Sequence, residues 1–273
     1  MKIKLDIDNK NYRADLSLGQ SIAITLKPDE AQPNHFGAPN ATSQTLKVGD
    51  YIGDTSSGGS CNVNILNIIP HCNGTHTESV SHIIDELFPL YAILGEAIFP
   101  SVLITTKPEI AAGIDENYIP SFDENSLVIS RNVLQNKLTA YSDAQLQGLV
   151  VRTLDNNLSK KQAIYDNNNY PPFFSNDAMK YLVERGVKHL MVDFPSVDKM
   201  YDDGLLSNHR IFWNINLNET RTNAKSTIEK TITEMIFVDN SIQDGLYLCN
   251  LQLPKIKTDA VPSNPVLYLL EEI

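Results

Sequence analysis

Cysteine is scarce in this chain. There are three, Cys61, Cys72 and Cys249, an odd and sparse set that builds no disulfide framework. A small disulfide-stapled scaffold is therefore excluded, and a reducing compartment, the cytoplasm, is the expectation. Basic residues are also in deficit: 22 Lys and Arg against 33 Asp and Glu leave a net charge of −11. Such a surface argues against phosphate-backbone binding and against docking on anionic lipid, so neither nucleic acid nor membrane is expected as a partner. No run of 18 apolar residues occurs, and none of the length a membrane-spanning helix needs is predicted. The opening residues, Met1 to Asp8, alternate charged and apolar side chains and do not read as a signal peptide. Internal repeats and low-complexity tracts are absent. Tryptophan occurs once, as Trp213.

What is present suits one domain over residues 1–273. With 42% hydrophobic residues in 273, the chain can bury a sizeable core. Ile3, Leu5 and Ile7, then Tyr12, Ala14 and Leu16, alternate around a polar turn and predict an opening β-hairpin. Residues rich in Pro, Gly, Asn and Ser follow and predict long loops, in which Phe36 could wall a ligand pocket or simply be exposed. Val63–Ile69 reads as a strand. After His82, the spacing of Ile83, Ile84, Leu87 and Phe88 predicts a helix up to Pro89. Ser101–Thr106, Leu127–Ser130, Leu149–Thr153, Val187–Asp193, Gly245–Pro254 and Val266–Leu270 read as strands. Ser175 caps a predicted helix that Gly186 ends. Such alternation indicates an α/β fold.

The stretch Cys72-Asn73-Gly74-Thr75-His76-Thr77-Glu78 carries the chemistry. Read as a strand, it sets Cys72, Gly74, His76 and Glu78 on one face, a row of thiol, imidazole and carboxylate with a gap at Gly74 for a cation to approach. On a helix Glu78 would fall away from the other two. His71 points to the opposite face of such a strand and could replace Cys72 only if the chain bulges. The blander alternative stays open: the spacing matches none of the familiar zinc motifs, and a Thr/Ser/Asn-rich run often forms a loop. Asn73-Gly74-Thr75 is also a formal glycosylation triplet. His189, inside an apolar strand, reads as a hydrogen-bonded core residue, and His35 has no assignment.

This stretch resembles the H-x-G-T-H-x-D-x-P-x-H signature of the metal-dependent cyclase/hydrolase family that includes bacterial kynurenine formamidase and isatin hydrolase. Gly74, Thr75, His76 and His82 match it. Cys72 stands at the first His, Glu78 at the Asp and Val80 at the Pro. Asp15-Leu16-Ser17, Arg152-Thr153 and the run Gly186 to Asp198, with Asp193 and Ser196-Val197-Asp198, resemble further family motifs. The resemblance implies a layered β/β/α arrangement with a barrel-like mixed sheet, a swivelling-domain-like fold, with insertions near 155–172 and 214–231.

The resemblance also implies a site and an activity. Cys72, His76, Glu78, His209 and Glu234 would hold one or two divalent ions, with Glu219 and Glu229 as competitors for the place of Glu234. His82 and Glu234 would act in catalysis, and Phe36 and Trp213 would flank an aromatic substrate. A thiolate at Cys72 favours zinc over manganese. The implied reaction is hydrolysis of an amide in an aryl formamide, as in tryptophan catabolism through kynurenine, or in a cyclic amide, by a homodimer or homotetramer. Because Cys72 and Glu78 depart from the signature, a non-catalytic metal- or small-molecule-binding member is the alternative.

Overall fold

The structure, a computed structural model, describes residues 1–273. Its centre is a curled nine-stranded mixed sheet that forms a half-barrel. From one edge the strands are Ala260–Pro262, His76–Glu78, Thr231–Glu234, His189–Val192, Gly148–Thr153, Ile98–Thr106, Gly245–Asn250, Val266–Leu269 and Gln20–Ser21. The four central strands, from Thr231–Glu234 to Ile98–Thr106, run parallel, and antiparallel pairs flank them on both sides.

The central strands are apolar on both faces, as a doubly covered parallel sheet requires. Val102, Ile104, Leu149, Val151, Leu190 and Val192 join the larger core with the three helices Arg131–Leu138, Asn176–Glu184 and Ser207–Trp213. Their alternates Leu103, Val150 and Met191 face the other way and pack with Ile22, Phe99, Ile236, Tyr247 and Cys249. Register keeps this alternation coherent: Leu103 pairs with Val150, and Val150 with Met191. Gly148 is small for a packing reason, since a Cβ there would lie 2.7 Å from the Phe99 ring. That ring stacks at 4.1 Å on His189, whose Nδ1 lies 2.9 Å from Thr231 Oγ1. His189 is thus a core residue, and burial holds its ring neutral, with a pKa of about 4.

Local signals explain most elements. The hairpin Lys2–Ile7/Lys10–Asp15 turns at Asp8 and Asn9, both with positive φ, the geometry of a tight two-residue turn. Ser175 Oγ accepts from Ala178 N at 2.9 Å at the start of the Asn176–Glu184 helix, and Gly186 follows its end at φ 73°. The helix predicted after His82 does not form. Residues 83–86 bend and 87–89 are irregular, because Phe88 N donates to Ser81 Oγ at 2.7 Å and Asp85 N to Thr220 O at 2.8 Å. These contacts to other segments replace the helical ladder. No helix is long and apolar enough to cross a membrane.

Candidate metal centre

Strand pairing brings the chemistry together. His76–Glu78 lies between Thr231–Glu234 and Ala260–Pro262, with His76 opposite Glu234 and Glu78 opposite Ala260. His76 and Glu78, two apart, share a face, and both are fully buried. The upstream part of the motif is not a strand. Pro70 starts a helical turn, Pro70–Asn73, held by Asn73 N donating to Ile69 O at 3.0 Å. The row of four side chains expected from Cys72 to Glu78 is therefore broken at its first member. A Cβ at Gly74 would face Leu26 and Pro33 rather than the donors, so that glycine does not serve as a gap for a cation.

Because successive residues on a helix point about 100° apart, the turn that carries Cys72 aims His71 inward instead. His71, His76 and Glu78 offer ligand atoms within 4.8 Å of one another, as do Glu78, His82 and His209, and His71, His82 and Asp259. Cys72 belongs to none of these groups. Its thiol pKa is raised by burial and by the charge of Glu234. His209 enters from the Ser207–Trp213 helix: Nε2 lies 3.0 Å from Glu78 Oε1 and Nδ1 lies 2.6 Å from Asp198 Oδ2. Glu234 Oε1 accepts from Val197 N at 2.9 Å and lies 3.8 Å from His209 Nε2, while Oε2 lies 3.5 Å from His76 Nε2. Glu219 and Glu229 are exposed, away from this cluster. His82, part-exposed, stacks on His71 at 4.2 Å and places Nε2 3.9 Å from Glu78.

Two buried atoms at the centre lack hydrogen-bond partners, His76 Nε2 and Glu78 Oε2. The tautomer of His76 follows from its other nitrogen: Nδ1 lies 2.9 Å from Gly74 O and must donate to it, which leaves a lone pair on Nε2. That lone pair faces the Glu234 carboxylate. Two acceptors at 3.5 Å repel unless a proton or a cation lies between them. A divalent ion satisfies both, so the donor set fits a metal.

Without a metal the cluster is a network of charges. Burial works against charge on His71, but Asp259 and Glu78 offset it and hold the ring up to about 10. Burial likewise opposes the charge on His209, yet Glu78 and Asp198 raise it well above the ordinary histidine value. Glu78 is held well below the usual carboxylate range: burial raises it, and His82 and His209 more than offset that. His71, then His82, hold Asp259 low as well. A raised histidine stabilises fully below its unfolded value, 6.5, and that contribution is lost by about 10 for His71. The lowered carboxylates stabilise fully above their unfolded values of 3.8 and 4.5. Metal-stripped protein is thus expected to melt highest between pH 4.5 and 6.5 and progressively lower from 6.5 towards 10. Thermal unfolding in chelator across that range checks this, and a flat alkaline limb would contradict the charged cluster.

Supporting residues explain several motif positions. Thr75 Oγ1 donates to Met235 O at 2.5 Å and accepts from Ile24 N at 2.8 Å. It pins the backbone beside Glu234, where Met235 takes a φ of 52°. Arg152 donates to Asp239 O, Ile242 O, Thr105 Oγ1 and Asp244 Oδ1, clasping the link after Phe237. Asp193, fully buried, takes Thr153 N, Thr153 Oγ1 and Lys160 Nζ, each at 2.8 Å.

Two expected substrate contacts differ in kind. Trp213 has no exposed face; its indole N–H donates to Lys230 O at 2.9 Å and its ring packs 5.6 Å from that of His209. It backs a donor residue and does not wall a pocket. Phe36 is 56% exposed and sits 3.8 Å from the His35 ring. His35 is buried with both nitrogens unpartnered; burial, then the neighbouring His76, lower its pKa to about 4. Sequence reasoning gave Asp198 no role in the site, although it lies in the second quoted motif, and missed Asp259, whose surroundings carry no spacing signal. His71 was legible only as a bulge variant.

The chain belongs to the cyclase family. The family model, described as "Putative cyclase", matches residues 15–199, about two thirds of the chain. The matched stretch holds His71, His76, Glu78, His82 and Asp198 and stops short of His209, Glu234 and Asp259. No curated protein matches the sequence. Solved structures share the fold at low identity. An isatin hydrolase bound to the product analogue thioisatinate is 12% identical, with a TM-score of 0.62 and 93% of each chain covered. Isatin hydrolase A from Labrenzia aggregata, bound to benzyl benzoate, is 12% identical at a TM-score of 0.61, over 93% of this chain and 94% of that one. A predicted metal-dependent hydrolase from Bacillus stearothermophilus is 14% identical at 0.57, over 92% and 98%.

Proposed function

We propose that this chain is a divalent-metal-dependent hydrolase of a carboxamide, either an aryl formamide of the N-formylkynurenine type or a cyclic amide of the isatin type. One observation carries the reading: the buried, unpartnered pair His76 Nε2 and Glu78 Oε2, set among His71, His209 and Glu234. Family membership and the isatin hydrolase neighbours support the amide as the bond attacked. When bound, a divalent ion at such a set supplies Lewis acidity and lowers a water's pKa towards ~7. Zinc was favoured on the strength of a Cys72 thiolate; nitrogen and oxygen donors suit zinc and manganese alike.

The chain's own residues divide the remaining work. Val197 N fixes Glu234 Oε1 and leaves Oε2 facing His76. His82, at the solvent side of the cluster, is free to carry the proton. In the overall reaction a C–O bond forms as the C–N bond breaks. His82 takes the proton of the attacking water and delivers it to the leaving nitrogen. Phe36, beside His35, offers an apolar wall for an aromatic ring.

The test is elemental analysis of protein purified without added metal, with assays of formate release from N-formylkynurenine and ring opening of isatin. One or two zinc or manganese ions per chain are expected, with turnover lost in chelator and restored on reloading. No metal after reconstitution, or full metal with no turnover on any formamide or cyclic amide, would overturn the proposal.

A further inference from the structure

Asp259 reaches the donor cluster from the far end of the chain. It lies just before the edge strand Ala260–Pro262, and its carbonyl accepts from Ser79 N at 3.0 Å, which extends the ladder beside Glu78. Its carboxylate is therefore placed by sheet register, not by a flexible loop. Oδ2 lies 2.9 Å from His71 Nε2, and Oδ1 accepts from Thr258 Oγ1 at 2.9 Å.

A neutral imidazole has one N–H and one lone pair. A metal displaces the second proton of His71, and with Nε2–H committed to Asp259 the lone pair of the neutral ring is on Nδ1. That nitrogen stands 3.1 Å from Glu78 Oε2, yet Glu78 Oε2 makes no aligned hydrogen bond and is wholly buried. In that neutral ring Nδ1 and Glu78 Oε2 turn their lone pairs towards one point, as His76 Nε2 and Glu234 Oε2 do. We infer that His71, through Nδ1, is the third metal donor beside His76 and Glu78 in place of the neighbouring Cys72, and that Asp259 is the positioning residue that fixes its tautomer and aim. The inference rests on the metal reading above and adds which side chain of the turn binds. It also gives the C-terminal edge strand a part in the site. A carboxylate behind a ligating histidine typically changes metal affinity by about 10–100-fold when removed.

Cobalt(II) is a suitable probe because a cysteine ligand announces itself by an intense thiolate-to-cobalt charge-transfer band. Wild-type protein loaded with cobalt is expected to show ligand-field bands without that band. In a Cys61→Ser background, Cys72 should react with a thiol reagent at the same rate with and without cobalt. Cys72→Ser should bind cobalt within about twofold of wild type, His71→Ala about 100-fold more weakly, and Asp259→Asn about 10–100-fold more weakly with altered ligand-field intensity. Asp259→Glu should recover part of the loss, and cooperative melting of each metal-free variant verifies folding. A charge-transfer band that disappears in Cys72→Ser would overturn the inference and leave the metal reading standing. So would an Asp259→Asn protein that binds cobalt like wild type. A wild type that takes up no cobalt would overturn both.

Discussion

Glu78→Gln is expected to abolish tight divalent-ion binding and to lower the metal-free melting temperature by roughly 5–10 °C at pH 7. The carboxylate belongs to two of the three donor sets, with His71 and His76 in one and with His82 and His209 in the other, and it is the only acidic group that joins them. It is also wholly buried, 3.0 Å from His209 Nε2 and 3.1 Å from His71 Nδ1. Glutamine keeps the volume and removes the charge. Protonated His71 and His209 then lose a common counter-charge, and cancelling one partner of a buried charge network costs about 3–5 kcal/mol. The amide also presents an N–H₂ group where the cluster needs an acceptor. Thermal unfolding in chelator and zinc titration by calorimetry read the two effects separately. A variant that melts like wild type in chelator would show that the charges of the cluster do not support the fold.

The fold was legible where local physics decides it. The Ser175 cap, the stop at Gly186 and the apolar run before Asp193 mark a helix–strand unit that the structure contains within a residue or two. A polar turn over Asp8–Asn11 was equally plain, although Lys10 and Asn11 belong to the second strand and only Asp8 and Asn9 make the turn. Partner identity was not, because pairing is a long-range property: nothing local says that the C-terminal Glu271–Glu272 strand joins the opening hairpin. Val63–Ile69 forms a strand over Asn64–Asn67, but in an exposed two-stranded ribbon with Thr42–Thr45 and not as an extension of the metal strand. The missing helix after His82 has the same origin. Its apolar spacing is helical, yet Ser81 and Thr220 take the amides that a helix would use.

Within the site, His76 and Glu78 were readable because a period of two survives any register of the strand. Cys72 was misplaced because Pro70 fixes a helical turn just upstream, which a motif read by alternation overrides. Proline at the first turn of a helix is a recognised start signal, so the correction was available in the sequence. Trp213 was assigned to a wall on the strength of being aromatic and unique, whereas its neighbours Phe212 and Ile215 are core residues and the indole follows them inside. Asp259 could not be found without the pairing of Ala260 and Glu78.

Asp198 separates stability from metal binding, and two substitutions there should give different results. Its Oδ1 accepts from Tyr118 Oη and Asn208 N, at 2.9 and 2.8 Å, and its Oδ2 from His209 N and Nδ1, at 3.1 and 2.6 Å. One buried carboxylate thereby ties the start of the Ser207–Trp213 helix to the loop before it and sets the His209 ring. Asp198→Ala leaves several buried donors unmet, each worth about 1–3 kcal/mol, and should destabilise by roughly 3–5 kcal/mol in total. Asp198→Asn keeps one oxygen for Tyr118 Oη and Asn208 N but turns an N–H₂ group towards His209 N and Nδ1. The imidazole must then accept at Nδ1 and carry its proton on Nε2, the nitrogen that faces Glu78. Metal affinity should fall about 10–100-fold, while the metal-free protein should lose less stability than Asp198→Ala does, since Tyr118 Oη and Asn208 N keep their acceptor. Chemical denaturation and zinc titration of both variants check this. If Asp198→Asn bound zinc as wild type does, His209 would owe its orientation to the Trp213 ring behind it instead of to the carboxylate.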